Sequence, residues 1–195
     1  MPNSSQPTAQ KETQTIEGLC ELVCQYDKKA DAELMKRVFA FAKDAHEGQK
    51  RASGEPYIIH PLATAYYLAE MHMPAPIIMA GILHDVPEDT HRTIEEISAE
   101  FGEDVATMVG GITKLGKIKY RGIERYIENL RKMFLTMAAD VRVVFIKFAD
   151  RLHNLETLDH IPPKKQYRIA LESLEIFAPI ANRLGMGEMK GRLED

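Results

Sequence analysis

Basic charge is what this 195-residue chain lacks most plainly: 25 Lys and Arg stand against 29 Asp and Glu, for a formal charge of −4. No global positive field is on offer to a polyanion, so DNA and RNA are not expected partners. Long apolar runs are also missing, and the ones present fall far below the length that a bilayer requires. The opening "MPNSSQPTAQKETQ" has no apolar core of a signal peptide and reads as a disordered polar tail over residues 1–15. Cysteine is scarce. Cys20 and Cys24 are too far apart for CxxC chemistry and too few for a disulfide framework. At i, i+4 on a helix they read as half-buried apolar side chains, and a reducing cytoplasm is the expected compartment. No stretch alternates for long like a strand, and there is no internal repeat.

What is there is helical periodicity. "DAELMKRVFAFAKDAH" opens on Asp31 as an N-cap and sets Leu34, Val38, Phe41 (or Ala42) and Ala45 on one stripe. Pro61 suits the first turn of the next helix, and Pro74 and Pro76 separate that helix from "IIMAGILHDV". Thr93 and Glu96 match a capping box. Gly102 begins a helix through Val109 that the Gly110-Gly111 pair is expected to break. "VRVVFIKF" has the β-branched and aromatic content of a strand, but its continuation into "ADRLHNLETL" favours a buried helix. The expected fold is an all-α bundle of about eight to ten helices occupying residues 16–195.

The chemistry gathers in "GILHDVPEDT", residues 81–90, where His84, Asp85, Glu88 and Asp89 follow the apolar run Ile77 to Ala80. His60 in "YIIHP" and Asp150 in "KFADRLHN", with Asn154 four residues on, complete the set. Two imidazoles and two carboxylates suit a divalent ion such as Mn²⁺, Fe²⁺ or Zn²⁺, which lowers the pKa of a bound water. Glu88 and Asp89 would then orient that water or relay its proton. A blander account stands beside this one: His60 bonded to a carbonyl, Asp150 paired with Arg151, and Glu88 and Asp89 in an acidic loop. Against it stands the cost of unpaired charge amid apolar neighbours.

The blocks "AHEGQKRASGEPYIIHP", "ILHDVPEDT", "GITKLGK", "KFADRLHNLETL" and "FAPIANRLGM" together resemble the hydrolase domain of the RelA/SpoT homologue family, within the HD metal-dependent phosphohydrolases. The resemblance runs from about Ile16 to the C-terminus. It implies an HD-type helical bundle that removes the 3′-diphosphate of ppGpp or pppGpp as pyrophosphate, with Mn²⁺ as cofactor, and so ends stringent-response signalling. Carried over position by position, it implies His60, His84, Asp85 and Asp150 as metal ligands and Glu88 and Asp89 as the pair that activates water. It implies Arg51 and Ser53 around guanine and ribose, Asn154 near the nucleotide, and a substrate contact for Lys114. Lys117, Lys119, Arg121 and Arg125 extend that basic segment, either as a lip for an anionic nucleotide or as a solvated approach to a helix. His46, His72, His91 and His160 are expected at the surface or as caps, and His153 as packing. Tyr57 either lines the pocket or packs helices; Tyr66 and Tyr67 are expected to pack.

Pro87 departs from the family pattern. It is expected to end or kink the helix, so that Glu88 and Asp89 do not share a face with Asp85. Long members of the family carry a synthetase domain after the hydrolase; these 195 residues are expected not to make ppGpp, whether they are a stand-alone small hydrolase or the N-terminal domain of a long member. Two alternatives remain open: an HD phosphohydrolase acting on NADPH or a deoxynucleotide, and a non-catalytic domain that binds the alarmone.

Overall fold

The computed structural model describes residues 14–116 and 123–195. Its α-helices are α1 (Ile16–Tyr26), α2 (Ala32–Ala45), α3 (Ile59–Glu70), α4 (Ala75–Leu83), α5 (Val86–Asp89), α6 (Ile94–Phe101), α7 (Glu103–Gly116), α8 (Ile123–Ala139), α9 (Arg142–Glu156), α10 (Pro163–Glu172), α11 (Ala178–Arg183) and α12 (Gly187–Glu194). A wide π turn over Ser173–Phe177 joins α10 to α11 without a break. His84 and Asp85 keep right-handed helical backbone between α4 and α5. The twelve segments thus form ten helical bodies among the described residues, an all-α bundle. Among the described residues the only β feature is one bridge between Lys50 and Pro56, and no helix is long and apolar enough to cross a membrane.

Local chemistry sets several boundaries. Asp31 accepts from the backbone N–H of Glu33 and Leu34 and so starts α2. The Thr93 hydroxyl accepts from Glu96 N at 3.2 Å, while the Glu96 carboxylate accepts from Thr93 N at 2.7 Å. That reciprocal pair starts α6 and is worth about 1 kcal/mol. On α2 the buried stripe is Met35, Val38, Phe41, Ala42 and Ala45, with Leu34 only half-buried at its edge. Tyr67 packs in the core as expected. Half-buried Tyr66 binds the Thr15 carbonyl at 2.9 Å and steadies the start of α1. Cys20 and Cys24 lie on α1, one buried and one half-buried.

The expected break at Gly110-Gly111 does not occur; α7 runs through both to Gly116. Close packing explains the glycines. A Cβ on Gly111 would stand 2.9 Å from Val143 Cγ2 on α9, and one on Gly110 would stand 3.3 Å from Ile94 Cδ1. "VRVVFIKF" is the first half of α9 and is helical, as its continuation implied.

Helix α4 is the axis of the bundle. Every residue from Ile77 to Leu83 is buried, and α2, α3, α7 and α9 pack around it. A helix apolar on all sides belongs at the centre of a core. It carries His84 and Asp85 at its C-terminal end, where α3 brings His60 and α9 brings Asp150. Lys117, Lys119, Arg121 and the side chain of Arg125 lie outside what is described.

Candidate active site

The loop between α2 and α3 forms one wall of the site. Arg51 N donates to Glu55 O at 2.9 Å, Gly54 N donates back to Arg51 O at 2.9 Å, and Tyr57 N reaches Gln49 O at 3.1 Å. Gly54 sits at φ +88, a conformation that a side chain rarely tolerates. The resulting tight hairpin holds Arg51 and Ser53 against a cavity of about 430 Å³, lined also by Lys50, Ala52, Tyr57, His60, Asp85, Asp150, Asn154, Thr157, His160 and Ile161. That volume is within the usual range for a small-molecule site. Cations stand on the loop wall and carboxylates on the floor. Ser53 donates to Glu55 at 3.0 Å.

At the floor the four predicted ligands converge from three helices. His60 Nε2 lies 3.2 Å from Asp150 Oδ1 and 3.5 Å from Asp85 Oδ2. His84 Nε2 lies 3.1 Å from Asp85 Oδ1 and 3.9 Å from Asp150 Oδ1. Ligand atoms of His60, His84 and Asp150 all fall within 4.8 Å of one another, close enough to share one ion. The decisive detail is at His84. Its Nδ1 stands 2.7 Å from the Gly81 carbonyl, which can only accept, so Nδ1 carries the proton. Nε2 faces two carboxylates; it is fully buried and has no well-aligned hydrogen-bond partner among the described residues. Burial alone would lower this imidazole, but the charges of Asp85 and Asp150 outweigh it and push it up to about 9. A nitrogen in that setting attracts positive charge, and a divalent cation fits it.

The charge around the cluster is set by Lys147, whose ammonium donates to Asp150 Oδ2 at 3.0 Å. Burial by itself would lower that amine; the carboxylates of Asp150 and Asp85 win and hold it protonated. Asp85 and Asp150 stay well below the usual carboxylate range: burial opposes ionisation, and for Asp150 the Lys147 charge leads the groups that overcome it. The sequence reading overlooked Lys147, although a lysine three residues before an acid on a helix signals such a pair.

As expected, the regular helix ends at Leu83, short of Pro87. That proline falls in the first turn of α5, where its missing N–H is not needed. The chain continues helically, and Asp89 N donates to Asp85 O at 2.9 Å. The expected separation of Glu88 and Asp89 from Asp85 is therefore corrected for Asp89: the Tyr57 hydroxyl reaches Asp85 Oδ2 at 2.8 Å and Asp89 Oδ2 at 2.9 Å. Glu88 has its carboxyl raised, first by burial and then by the charges of Asp85 and Asp89, against the pull of Lys147.

Other expectations are also corrected. Asp150 does not pair with Arg151, which bonds Glu172 at 3.1 Å and lies over the Phe177 ring. Adjacent residues on a helix face different sides, whereas residues three apart meet. His153 is not mere packing: its Nδ1 is 2.8 Å from His60 Nδ1 and 3.1 Å from Arg51 Nη1. His46 is the C-cap of α2, within what was expected, and is buried, stacked on Tyr57 with ring centroids 4.6 Å apart. His72 and His91 are exposed as expected, and exposed His160 also borders the cavity. Asn154 joins the site, donating from Nδ2 to Asp150 Oδ1 at 2.6 Å. Lys114 is not brought there; it is exposed and borders a separate hollow between α7 and α8.

A helical bundle with paired His84-Asp85, a distant histidine and a distant aspartate around one ion-sized gap defines a class. Residues 38–187 match the family model described as HD domain, and the chain belongs to that family. It is 53% identical over 163 residues to the probable guanosine-3′,5′-bis(diphosphate) 3′-pyrophosphohydrolase of Synechocystis, covering 83% of this chain and 21% of that protein. It is 46% identical over 181 residues to the bifunctional (p)ppGpp synthase/hydrolase SpoT of Escherichia coli K12, covering 92% of this chain and 26% of the relative. The chain thus spans about a fifth to a quarter of these relatives' length. A solved structure, described as a metazoan ortholog of SpoT that hydrolyses ppGpp, shares the fold with a TM-score of 0.64, at 23% identity, over 85% of this chain and 91% of that one.

Proposed function

We propose that residues 16–195 form a metal-dependent hydrolase domain that removes the 3′-diphosphate of ppGpp or pppGpp as pyrophosphate, leaving GDP or GTP, in the cytoplasm. The single observation that carries the reading is the unpartnered, buried His84 Nε2 aimed at Asp85 and Asp150, with His60 beside them, on the floor of a cavity that has an arginine wall. His60, His84, Asp85 and Asp150 would hold the ion, with Mn²⁺ as the proposed species. Such a cation supplies hydroxide near neutral pH by lowering the pKa of its water.

The chain's own groups do the rest. Arg51 offers a flat, permanently charged guanidinium to the guanine or to phosphate, with Ser53 and Asn154 beside it. Glu88, its carboxyl raised by burial, is suited to take up a proton. Tyr57 holds Asp89 in line with Asp85. The names of the relatives support the alarmone as substrate.

The test is pyrophosphate release from ppGpp by metal-stripped protein resupplied with Mn²⁺. Release restored by Mn²⁺ and lost in Asp85→Ala is the expected result. Cleavage of NADPH or a deoxynucleotide in place of ppGpp would overturn the substrate, and nucleotide binding without any turnover would overturn the enzyme.

A further inference from the structure

Arginine has five N–H donors and no acceptor, so each atom that it bonds must offer a lone pair. Arg51 Nη1 stands 3.1 Å from His153 Nδ1. That nitrogen is therefore unprotonated, and the His153 proton sits on Nε2. His60 Nδ1 lies 2.8 Å from the same His153 Nδ1 and is then the donor, sharing that nitrogen's single lone pair with Arg51. The His60 proton is then on Nδ1, and its Nε2 presents a lone pair to the gap beside Asp85 and Asp150. Only this tautomer of His60 can ligate an ion there.

A second path starts from the same guanidinium. Arg51 Nη2 donates to Asn154 Oδ1 at 3.0 Å and to Thr157 Oγ1 at 3.2 Å. Thr157 Oγ1 uses its own proton on the His153 carbonyl at 2.8 Å, so its lone pair is free to receive Arg51. Holding Asn154 Oδ1 turns the amide so that Nδ2 faces Asp150 Oδ1, at 2.6 Å. One side chain on the α2–α3 loop thereby orients ligands on α3 and α9 together.

We propose that Arg51, acting through His153 and Asn154, is a positioning residue for the metal centre, fixing the tautomer of His60 and the aim of Asp150. The proposal rests on the metal reading above and goes beyond any role of Arg51 toward the nucleotide. Groups that orient metal ligands in this way change metal affinity by about 10–100-fold when lost.

The experiment titrates Mn²⁺ into metal-stripped, nucleotide-free protein and reads free Mn²⁺ by electron paramagnetic resonance. Arg51→Met and His153→Leu are expected to bind Mn²⁺ about 10–100-fold more weakly than the unaltered protein. His153→Asn, whose amide oxygen can accept where Nδ1 did, is expected to recover most of the loss. An arginine that served only the nucleotide would leave affinity in both weakened variants within twofold of the original, and that result overturns the proposal. Uptake of no Mn²⁺ by the unaltered protein overturns the metal reading and this one with it. Should either variant fail to fold by circular dichroism, ¹⁵N long-range NMR of the unaltered protein decides: a His153 proton on Nε2 supports the proposal, and a proton on Nδ1 overturns it.

Discussion

The Tyr57 hydroxyl lies 2.9 Å from Asp89 Oδ2 across 32 positions of sequence, and the same oxygen lies 2.8 Å from Asp85 Oδ2. One proton thus serves two carboxylates. Burial and those two charges push the phenol well above its ordinary range, so it remains a donor at any physiological pH. Tyr57→Phe removes the donor and leaves the two acids facing each other. The proposed hydrolysis of ppGpp is expected to fall about 10–100-fold, while the ring still stacks on His46 and preserves the fold. Steady-state rates beside a circular dichroism spectrum measure both; a rate within twofold of the original would remove Tyr57 from the mechanism.

Metal binding should also register as stability. At a concentration 100 times Kd, a ligand specific to the folded state adds about 2.7 kcal/mol. For a chain of this size that raises the melting midpoint by about 5–10 °C. Mn²⁺ is expected to give that rise in the unaltered protein and none in His84→Ala. An equal rise in both would show that Mn²⁺ binds elsewhere.

Glycine substitutions should split by position. Gly111→Ala gains about 1 kcal/mol of helix propensity, but its methyl meets Val143 at 2.9 Å, and overpacking costs about 1–3 kcal/mol. A midpoint lower by about 2–4 °C is expected. Gly191→Ala, inside α12 with nothing within 4 Å, is expected to stabilise by up to about 1 kcal/mol. Thermal denaturation of the two variants decides; a stabilised Gly111→Ala would refute close packing of α7 on α9.

Acid should weaken one contact far from the site. The Arg142 guanidinium donates to Asp140 at 2.7 Å and holds that carboxyl below its ordinary value, with burial opposing. A folded-state value below the unfolded one gives stability that is present above the unfolded pKa and lost as pH falls through the folded one. Asp140→Asn should therefore be less stable than the original near pH 6, with the gap closing below about pH 4. Urea midpoints at pH 6 and pH 3.5 test this, and a gap that widens in acid would reverse the assignment.

What the sequence revealed was what lies within a turn or two of helix. The Asp31 cap, the Thr93–Glu96 box and the all-apolar α4 depend on neighbours a few positions away, and residue type alone identifies them. His60, His84, Asp85 and Asp150 were legible through blocks of familiar wording, not through spacing, because three separate helices bring them together. His153 was missed for a geometric reason. It precedes Asn154 by one position, about 100° around α9, which suggested that the two face different ways. Arg51 spans that angle, since its two terminal nitrogens lie far enough apart to reach His153 with one and Asn154 with the other. The glycines of α7 misled because a breaker of isolated helices is also the residue that admits a neighbouring helix at close range.

The π turn between α10 and α11 has a consequence for how the chain tolerates change in length. Pro179 has no N–H for the carbonyl four residues back, and the wide turn ahead of it accommodates that loss. Such a turn stores one residue more than a regular helix of the same span. A deletion of one residue between 173 and 177, combined with Pro179→Ala, would only return the helix to regular phase. The same deletion between Lys147 and Asn154 on α9 would swing the lysine, the aspartate and the asparagine out of alignment at once. Length is negotiable in one helix and fixed in the other.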